Sequence, residues 1–352
     1  MDQEAVKVRD NRSPNSADGR RVSFYAAQMI ERRHRRRKNA NTTASYEGCL
    51  RNHVLPFVKS RPADTLRRRD SAAFVDYLLD KPGINSPSTV VQNFKVWRVL
   101  MHYMLDEDVP LPFNIVARID LPEVTPRVTV PLSPGQVAAV AAAMRAVAPR
   151  YEVLVWLGAC AGLRQGEAFA LKHSQVAWEE NLLRIVEQRQ RGKATRLKTK
   201  SSCATLPVDR FLIERLAHHT SRFSGPEPAL RYAGYQRRER GLANPADQEL
   251  IATNRLGLPI LHGDFYEKWR SAVRLAGLPE RTRFHDLKHF YTTTLGASGK
   301  HDPKTVQALS RHAEFSETWD TYAHPPLAVE GVTVAVFSTA FSGIDNTCPT
   351  FS

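Results

Sequence analysis

Four short motifs in the C-terminal half concentrate residue types that bind phosphate, move protons or act as nucleophiles. The first, GLRQGE, places Arg164 between glycines after an apolar run, with Glu167 three residues later. An arginine at a tight turn offers two parallel donors to a phosphate, and an acid at this offset can brace the first turn of the next helix. An ordinary Arg–Glu pair at positions i and i+3 explains the same spacing equally well.

The second and third motifs add further cations. LKTKSS is a basic turn between two strand-like runs and contains Lys198 and Lys200, either of which could donate a proton to a leaving group, although most basic turns are simply solvated. FHDLKHFY places His285, Lys288 and His289 on one face of a predicted helix. This spacing could hold zinc, but a cation between two imidazoles disfavours a metal and favours a polyanion.

The fourth motif, SRHAEFSETWDTYAH, contains His312 and, ten residues later, Tyr322. A tyrosine in a short polar segment after a helix can be half-exposed and act as a nucleophile. Most tyrosines serve in packing, so this motif is weak when it is taken alone.

In this order, the four motifs resemble those of the tyrosine recombinase (phage integrase) family. The helical half before them is similar to the family's core-binding domain, at TTASYEGCLRNHVLPF, SAAFVDYLL and the helix that ends in MHYMLDEDV. The resemblance covers nearly all of residues 24–340, apart from 223–250. It implies a site-specific DNA recombinase that integrates or excises a mobile element and needs neither a cofactor nor a metal.

The resemblance also implies a role for each matching residue. Tyr322 is expected to be the nucleophile that forms a 3'-phosphotyrosyl link, and Arg164 to clamp the scissile phosphate. His285 and His312 are expected to donate to the same phosphate, while Glu167 supports the site.

The lysine of the strand turn is assigned as Lys198, the expected general acid, with Lys200 as the alternative and as a DNA contact. The sequence departs from the family at two positions. Lys288 stands where the family usually has a second arginine, which keeps a catalytic charge but loses the bidentate fork. Arg311 replaces the glycine that usually precedes the last histidine, and it is expected to add a DNA contact.

The charge of the chain supports a nucleic-acid partner. Its 352 residues include 50 Lys+Arg and 36 Asp+Glu, and the formal net charge of +14 is shared equally by residues 1–127 and 128–352. A field of this sign attracts polyanions, so both halves are expected to face double-stranded DNA.

One basic run stands out in the N-terminal half. Six of the eight residues in ERRHRRRK, which begins at Glu31, are lysine or arginine. Phosphate contacts are expected from Arg35, Arg36, Arg37 and Lys38, although a solvated helix end explains the run equally well.

The elements that must position these residues predict a mainly α fold with a small β-sheet. Prolines at 122, 126, 131 and 134 indicate an extended linker, after which Ser133, Pro134 and Gln136 form a helix start with a capping box. The predicted domains are a disordered basic tail at 1–22, a helical bundle that forms the core-type DNA-binding domain at 23–120, a linker at 121–132, and a mixed α/β catalytic domain at 133–345.

Apolar periodicity predicts the individual elements. In the first domain the predicted helices are 24–33, 44–57, 71–79 and 89–105. In the second domain the predicted helices are 133–147, 151–161, 209–219, 264–276, 283–297, 302–312 and 327–340, and the predicted strands are 182–188 and 205–208.

The expected surroundings and assembly complete the picture. No apolar run reaches the roughly 18 residues of a membrane span, and four scattered cysteines indicate a reducing compartment, so a cytoplasmic, nucleoid-associated protein without membrane contact is expected. The resemblance implies a homotetramer on synapsed DNA. Residues 325–343 are expected to dock on a neighbouring protomer, with packing on their own domain equally open.

Two other functions compete with the recombinase. A type IB topoisomerase-like enzyme would share the tyrosine chemistry but relax supercoils without joining two sites. A DNA-binding or architectural protein with a weakened active site is the other alternative, because of Lys288.

Overall fold

The computed structural model describes residues 20–84, 86–125, 130–190, 193–196, 204–223, 249–311 and 336–341. The chain divides into two compact units, Met1–Arg127 and Val128–Ser352. This division falls within residues 121–132, where the sequence predicts a linker. Each unit has its own hydrophobic core.

The first unit is helical, as its apolar periodicity predicts. Its helices are α1 (Val22–Arg35), α2 (Ala40–Cys49), α3 (Leu55–Val58), α4 (Arg68–Leu79) and α5 (Pro87–Asp106), with a π-helical turn at Leu50–Val54 between α2 and α3. The start of α5 is fixed locally, because the Ser86 hydroxyl accepts a hydrogen bond from the Thr89 backbone N–H at 3.2 Å.

An aromatic cluster forms the centre of this first core. The rings of Phe74 and Trp97 stack with centroids 4.7 Å apart, and Phe57 packs against both. Trp97 is fully buried, and its indole N–H donates to the Ser71 hydroxyl at 2.8 Å. The cluster therefore joins α3, α4 and α5 without leaving the indole donor unpaired.

The second unit is mixed, and its described helices are α6 (Pro134–Val147), α7 (Glu152–Ala161), α8 (Gln165–Ala168), α9 (Arg210–Phe223), α10 (His262–Leu275), α11 (His285–Ala297), α12 (Pro303–Ser310) and α13 (Phe337–Ala340). The capping box predicted at Ser133 is confirmed: its hydroxyl accepts from Gln136 N–H at 3.2 Å, and the Gln136 side chain accepts from Ser133 N–H at 2.9 Å. None of the helices in the described ranges has the length and apolarity needed to cross a bilayer.

The strands of the second unit form two small antiparallel sheets. Strands β1 (Val176–Ala177), β2 (Leu182–Ile185) and β5 (Ala204–Pro207) pair in the order β1-β2-β5. Strands β3 (Glu187–Gln190) and β4 (Lys193–Arg196) form a separate hairpin. The mainly helical fold with a small amount of sheet is confirmed, but the single strand predicted at 182–188 is wrong. It divides at Val186, a half-exposed residue between β2 and β3.

The described part of the C-terminal segment, residues 336–341, packs on its own unit, which is one of the two arrangements that the sequence leaves open for residues 325–343. Phe337 is fully buried and stacks on Tyr291 at 5.3 Å. The backbone N–H groups of Phe337 and Ser338 donate to the Asp209 carboxylate at 3.0 and 2.9 Å. A carboxylate at the start of a helix satisfies donors that have no partner within the helix, so this contact fixes α13.

Helix α7 supports the rest of the second unit. Every residue from Val153 to Ala161 is buried, and α11 packs directly on it. The closest approach is at Gly158, where an added Cβ would lie 2.9 Å from Leu287 Cδ1 and 3.1 Å from Leu287 Cβ and Phe284 Cζ. A glycine is needed here because two helices share the space.

We predict that Gly158→Ala lowers the free energy of unfolding by about 1–3 kcal/mol, because the new methyl group overpacks the contact between α7 and α11. Gly296→Ala is the matched control, since Gly296 lies on α11 with no atom within 4 Å of the added Cβ. The control is expected to gain up to about 1 kcal/mol from helix propensity. Chemical denaturation measures both, and equal stabilities would contradict the close packing.

Candidate active site

The turn after α7 presents Arg164 and requires a glycine before it. Gly162 has a φ of +58°, in the left-handed region that side chains disfavour. A Cβ at this position would also lie 2.5 Å from Tyr291 Cδ1, inside the ring's contact distance. The buried helix therefore ends abruptly, and α8 begins at Gln165 after Leu163 and Arg164.

Glu167 holds Arg164 through hydrogen bonds to its backbone and its side chain. Its Oε2 accepts from the Arg164 backbone N–H at 2.8 Å, and its Oε1 accepts from Arg164 Nη1 at 3.2 Å. The Glu167 side chain is 2% exposed, whereas that of Arg164 is 44% exposed. Burial alone would raise the pKa of Glu167, but Arg311, the Arg164 N–H and Arg164 itself outweigh it and hold the pKa below its usual value. The buried carboxylate of Glu167 thus holds the solvent-accessible guanidinium of Arg164 in place.

Arg311, for which the sequence predicts a DNA contact, has a guanidinium that is buried against Glu167. Its Nη2 donates to Glu167 Oε2 at 2.8 Å, and its side chain is 3% exposed. The residue ends α12 with a φ of +51°. Among the residues that the structure describes, its buried Nε and Nη1 atoms have no hydrogen-bond partner. The guanidinium therefore lies beside Glu167 instead of pointing to solvent.

Lys288 links two of the motifs through their backbones. Its Nζ donates to the Gly162 carbonyl at 3.1 Å and to the Ser310 carbonyl, and the residue is 1% exposed. Burial and then the charges of Arg311 and Arg164 lower the pKa of Lys288 from 10.5 to about 7, although Glu167 opposes the shift. The lysine fixes the Arg164 turn to the end of α12, which differs from a phosphate clamp that reaches outward.

His285 and His289 lie at the exposed start of α11. Their ring centroids are 5.0 Å apart, and His285 faces solvent. Partial burial, then the nearby His289 and Lys288, lower the pKa of His285 below 6.5, so its imidazole is mostly uncharged near neutral pH. The helix start is held by Asp286, whose carboxylate accepts from the Arg283 backbone N–H at 2.8 Å.

The structure brings part of the predicted site together. Five of the expected residues meet around the ends of α7, α11 and α12, namely Arg164, Glu167, His285, Lys288 and Arg311. The others lie outside the described residues, namely Tyr322, His312, Lys198 and Lys200. Strands β4 and β5 flank the segment that holds the two lysines. Within the described ranges, no three His, Cys, Asp or Glu side chains form a group that could hold a metal ion.

Sequence reasoning missed one structural residue of the site, Tyr291, and the burial of another, Lys288. Tyr291 is fully buried against Gly162, and burial raises the pKa of its phenol well above the usual value, which makes it unsuitable as a nucleophile. Helical spacing offered a signal for the burial of Lys288, because this residue shares a face with the buried residues Tyr291 and Leu295.

The basic run at the end of α1 divides into paired and unpaired side chains. Arg35 pairs with Glu31 at 2.6 Å, and His34 pairs with Glu47 at 2.8 Å. Three residues that follow are exposed and have no side-chain partner in the part of the chain that the structure describes; they are Arg36, Arg37 and Lys38. These three charges remain available for a polyanion.

Comparisons with known proteins bear on this site. Residues 132–327 match the model of the phage integrase family. The curated protein "Tyrosine recombinase XerC-like" of Caldanaerobacter subterraneus subsp. tengcongensis is 29% identical over an alignment of 193 positions, and the match covers 50% of this chain and 46% of that protein. The chain thus spans about half the length of the curated relative that it matches.

Solved structures share the fold. The integrase of transposon Tn1549, in complex with transposon right end DNA, gives a TM-score of 0.69 at 19% identity, with 87% of this chain and 95% of that chain covered. A lambda integrase dimer bound to a COC' core site gives 0.61 at 14% identity, with 83% and 92% covered. The similarity at this level of identity concerns the fold.

We predict that Lys288 makes the stability of the second unit rise with pH above 7. The unfolded chain keeps this proton to near pH 10, whereas the folded chain releases it near 7, so the unfolded state binds more protons in between. The free energy of unfolding should increase by at most about 1.4 kcal/mol per pH unit.

Chemical denaturation between pH 6.5 and 9 measures this slope in wild type and in Lys288→Met, which should lose it. Lys95→Met, at an exposed lysine of α5, is the control and should keep it. Equal slopes in wild type and Lys288→Met would show that Lys288 does not titrate in this range.

Proposed function

Because this chain belongs to the phage integrase family, we propose that it is a site-specific DNA recombinase that cuts and rejoins strands through a 3'-phosphotyrosyl intermediate. One observation carries the proposal. The guanidinium of Arg164 is half-exposed, is held by a buried carboxylate, and lies near enough to His285 for its charge to help lower the pKa of that imidazole. Such a site suits an anionic phosphate in which charge develops during reaction.

The proposed chemistry needs three functions at one phosphodiester. The phenol of Tyr322 loses its proton to water, and its oxygen bonds to phosphorus as the bond to the leaving 5' oxygen breaks. Lys198 then protonates the leaving 5' oxygen. Arg164 stabilises the nonbridging oxygens with two parallel donors. A 5'-hydroxyl from another strand then attacks the phosphotyrosine, restores the diester and releases the phenol, so the bond energy is conserved without an added cofactor.

His285 contributes as a neutral donor in this proposal. Its lowered pKa leaves the imidazole mostly uncharged near neutral pH, and one ring N–H can still donate to a phosphate oxygen. Lys288 acts as a positioning residue in this proposal. Its hydrogen bonds to the Gly162 and Ser310 carbonyls hold the turn of Arg164 against the end of α12, two residues before His312 in the sequence. His312 is the remaining donor to the phosphate.

A second candidate function is a DNA-binding protein that cleaves poorly. One observation favours it: Lys288 donates to two backbone carbonyls, whereas an arginine with five donors would have more groups left for a phosphate. DNA binding without a covalent product would support this candidate. Relaxation of a plasmid that lacks any specific site would instead indicate a topoisomerase-like activity.

The proposed partners are double-stranded DNA and further copies of the chain. Support comes from the Tn1549 integrase, solved with transposon DNA, and from lambda integrase, solved as a dimer on a core site. We propose that two protomers bind inverted core sites and that four form the synaptic tetramer. Action on chromosomal DNA places the proposed activity in the cytoplasm, at the nucleoid.

We predict that a nicked suicide substrate traps a covalent protein–DNA adduct with wild type and none with Tyr322→Phe, because the substitution removes the attacking oxygen. Denaturing gels with labelled DNA measure the adduct. Tyr266→Phe, at an exposed tyrosine of α10, is the matched control and should form as much adduct as wild type. An adduct that survives in Tyr322→Phe would remove this residue from the proposed role.

We also predict that the unpaired basic residues after α1 contribute to the salt dependence of DNA binding. Replacing Arg36, Arg37 and Lys38 with alanine should make the negative slope of log K against log salt shallower by about 2 to 3, at about 0.9 per lost phosphate contact. Arg35→Ala, which breaks a pair with Glu31, should change the slope by less than about 1. Fluorescence anisotropy with labelled DNA over a salt series measures these slopes. An unchanged slope in the triple variant would show that the basic run is a solvated helix end that does not contact phosphate.

A further inference from the structure

We propose that Arg311 is a positioning residue: it competes with Arg164 for the Glu167 carboxylate and thereby leaves the Arg164 guanidinium available to a DNA phosphate. The inference rests on the proposed function, because it concerns the same site. It assigns to Arg311 an indirect role, in which the side chain never touches the substrate.

The backbone at Arg311 shows that the residue is retained at a cost. With φ at +51° and ψ at +41°, it adopts the left-handed conformation in which glycine usually ends a helix. A side chain in this conformation costs roughly 1 kcal/mol relative to glycine. Some interaction of the side chain must offset that cost.

The burial of the guanidinium adds to the cost. The side chain is 3% exposed, and its Nε and Nη1 atoms have no partner among the described residues. A buried cation with incomplete hydrogen bonding contributes little net stability to a fold. The contact with Glu167 at 2.8 Å is therefore better explained by what it does to Glu167 than by stability.

Glu167 is the shared acceptor. Its Oε2 receives Arg311 Nη2 and the Arg164 backbone N–H, both at 2.8 Å, which leaves Oε1 for the Arg164 side chain. That remaining contact is single and long, at 3.2 Å. By contrast, Arg145 binds Glu152 in the same unit with both prongs of its fork, at 2.7 and 2.6 Å.

The consequence follows from the geometry of the fork. Without Arg311, both Glu167 oxygens could receive the Arg164 guanidinium, and the neutralised pair would fold back on α8. With Arg311 present, the carboxylate is already compensated by a buried cation, and Arg164 keeps donors for an incoming anion. The charge of Arg311 also affects Lys288, because among the nearby charges it lowers the pKa of Lys288 most.

The first test measures single-turnover adduct formation on the suicide substrate. Arg311→Met should reduce the rate by about 10- to 100-fold, with the half-saturating DNA concentration within about 3-fold of wild type, because Arg164 is misplaced for the reaction while the other DNA contacts remain. Arg311→Lys retains the charge and should stay within about 5-fold. Arg270→Met, at a residue of α10 whose ion pair with Glu280 is lost, is the control and should match wild type.

The decisive variant is a suppressor. Adding Glu167→Gln to Arg311→Met removes the charge that captures Arg164, so the double variant should react at least about 5-fold faster than Arg311→Met alone. If Arg311 had only a structural role, the second substitution would lower the rate of adduct formation further. A double variant as slow as Arg311→Met, or slower, would overturn the proposal.

A readout without catalysis separates this inference from the proposed function. Phenylglyoxal modifies accessible guanidinium groups, and peptide mass spectrometry gives its rate at Arg164. The rate should fall about 3-fold or more in Arg311→Met as the Arg164 ion pair tightens, and it should match or exceed wild type in Glu167→Gln and in the double variant. If wild type forms no adduct, the proposed function fails, and these rates still decide; unchanged rates at Arg164 would reject the competition.

Discussion

A buried carboxylate holds the cationic site together. Glu167 lies at the start of α8, accepts from the backbone and side chain of Arg164, and pairs with Arg311 from the end of α12. Two distant parts of the chain thus converge on one negative charge. Without this anion, the gathered cations would repel one another at short range, and two of them, Arg311 and Lys288, are almost fully shielded from water.

The crowding of positive charge remains visible in Lys288. Its pKa near 7 reflects the free energy required to keep an ammonium group buried beside two arginines. The protein tolerates this because the amine connects the Gly162 and Ser310 carbonyls, which end α7 and α12. The backbone turns left-handed at Gly162, where glycine allows it freely, and at Arg311, where a side chain makes it costly, so each helix stops and the next residues can enter the site.

The sequence predicted the helical fold and the motifs well, because apolar periodicity and capping are local signals. Ser133, Pro134 and Gln136 are an example, because these three residues determine the start of α6. Contacts across the fold could not be predicted in the same way. Nothing local shows that Arg311 turns inward to a carboxylate 144 residues away, or that Val186 separates two sheets. Those outcomes depend on which segments pack together.

The attachment of α13 has a consequence for shortened forms of the chain. Asp209 gives one oxygen to three donors of this helix, and Phe337 fills a niche against Tyr291, which itself lies on Gly162. Truncating the chain before residue 336 would leave the Asp209 carboxylate without these donors. It would also open an apolar cavity beside Tyr291, next to the turn that presents Arg164. Such a fragment would lose rigidity around Arg164 and would aggregate through the exposed aromatic rings.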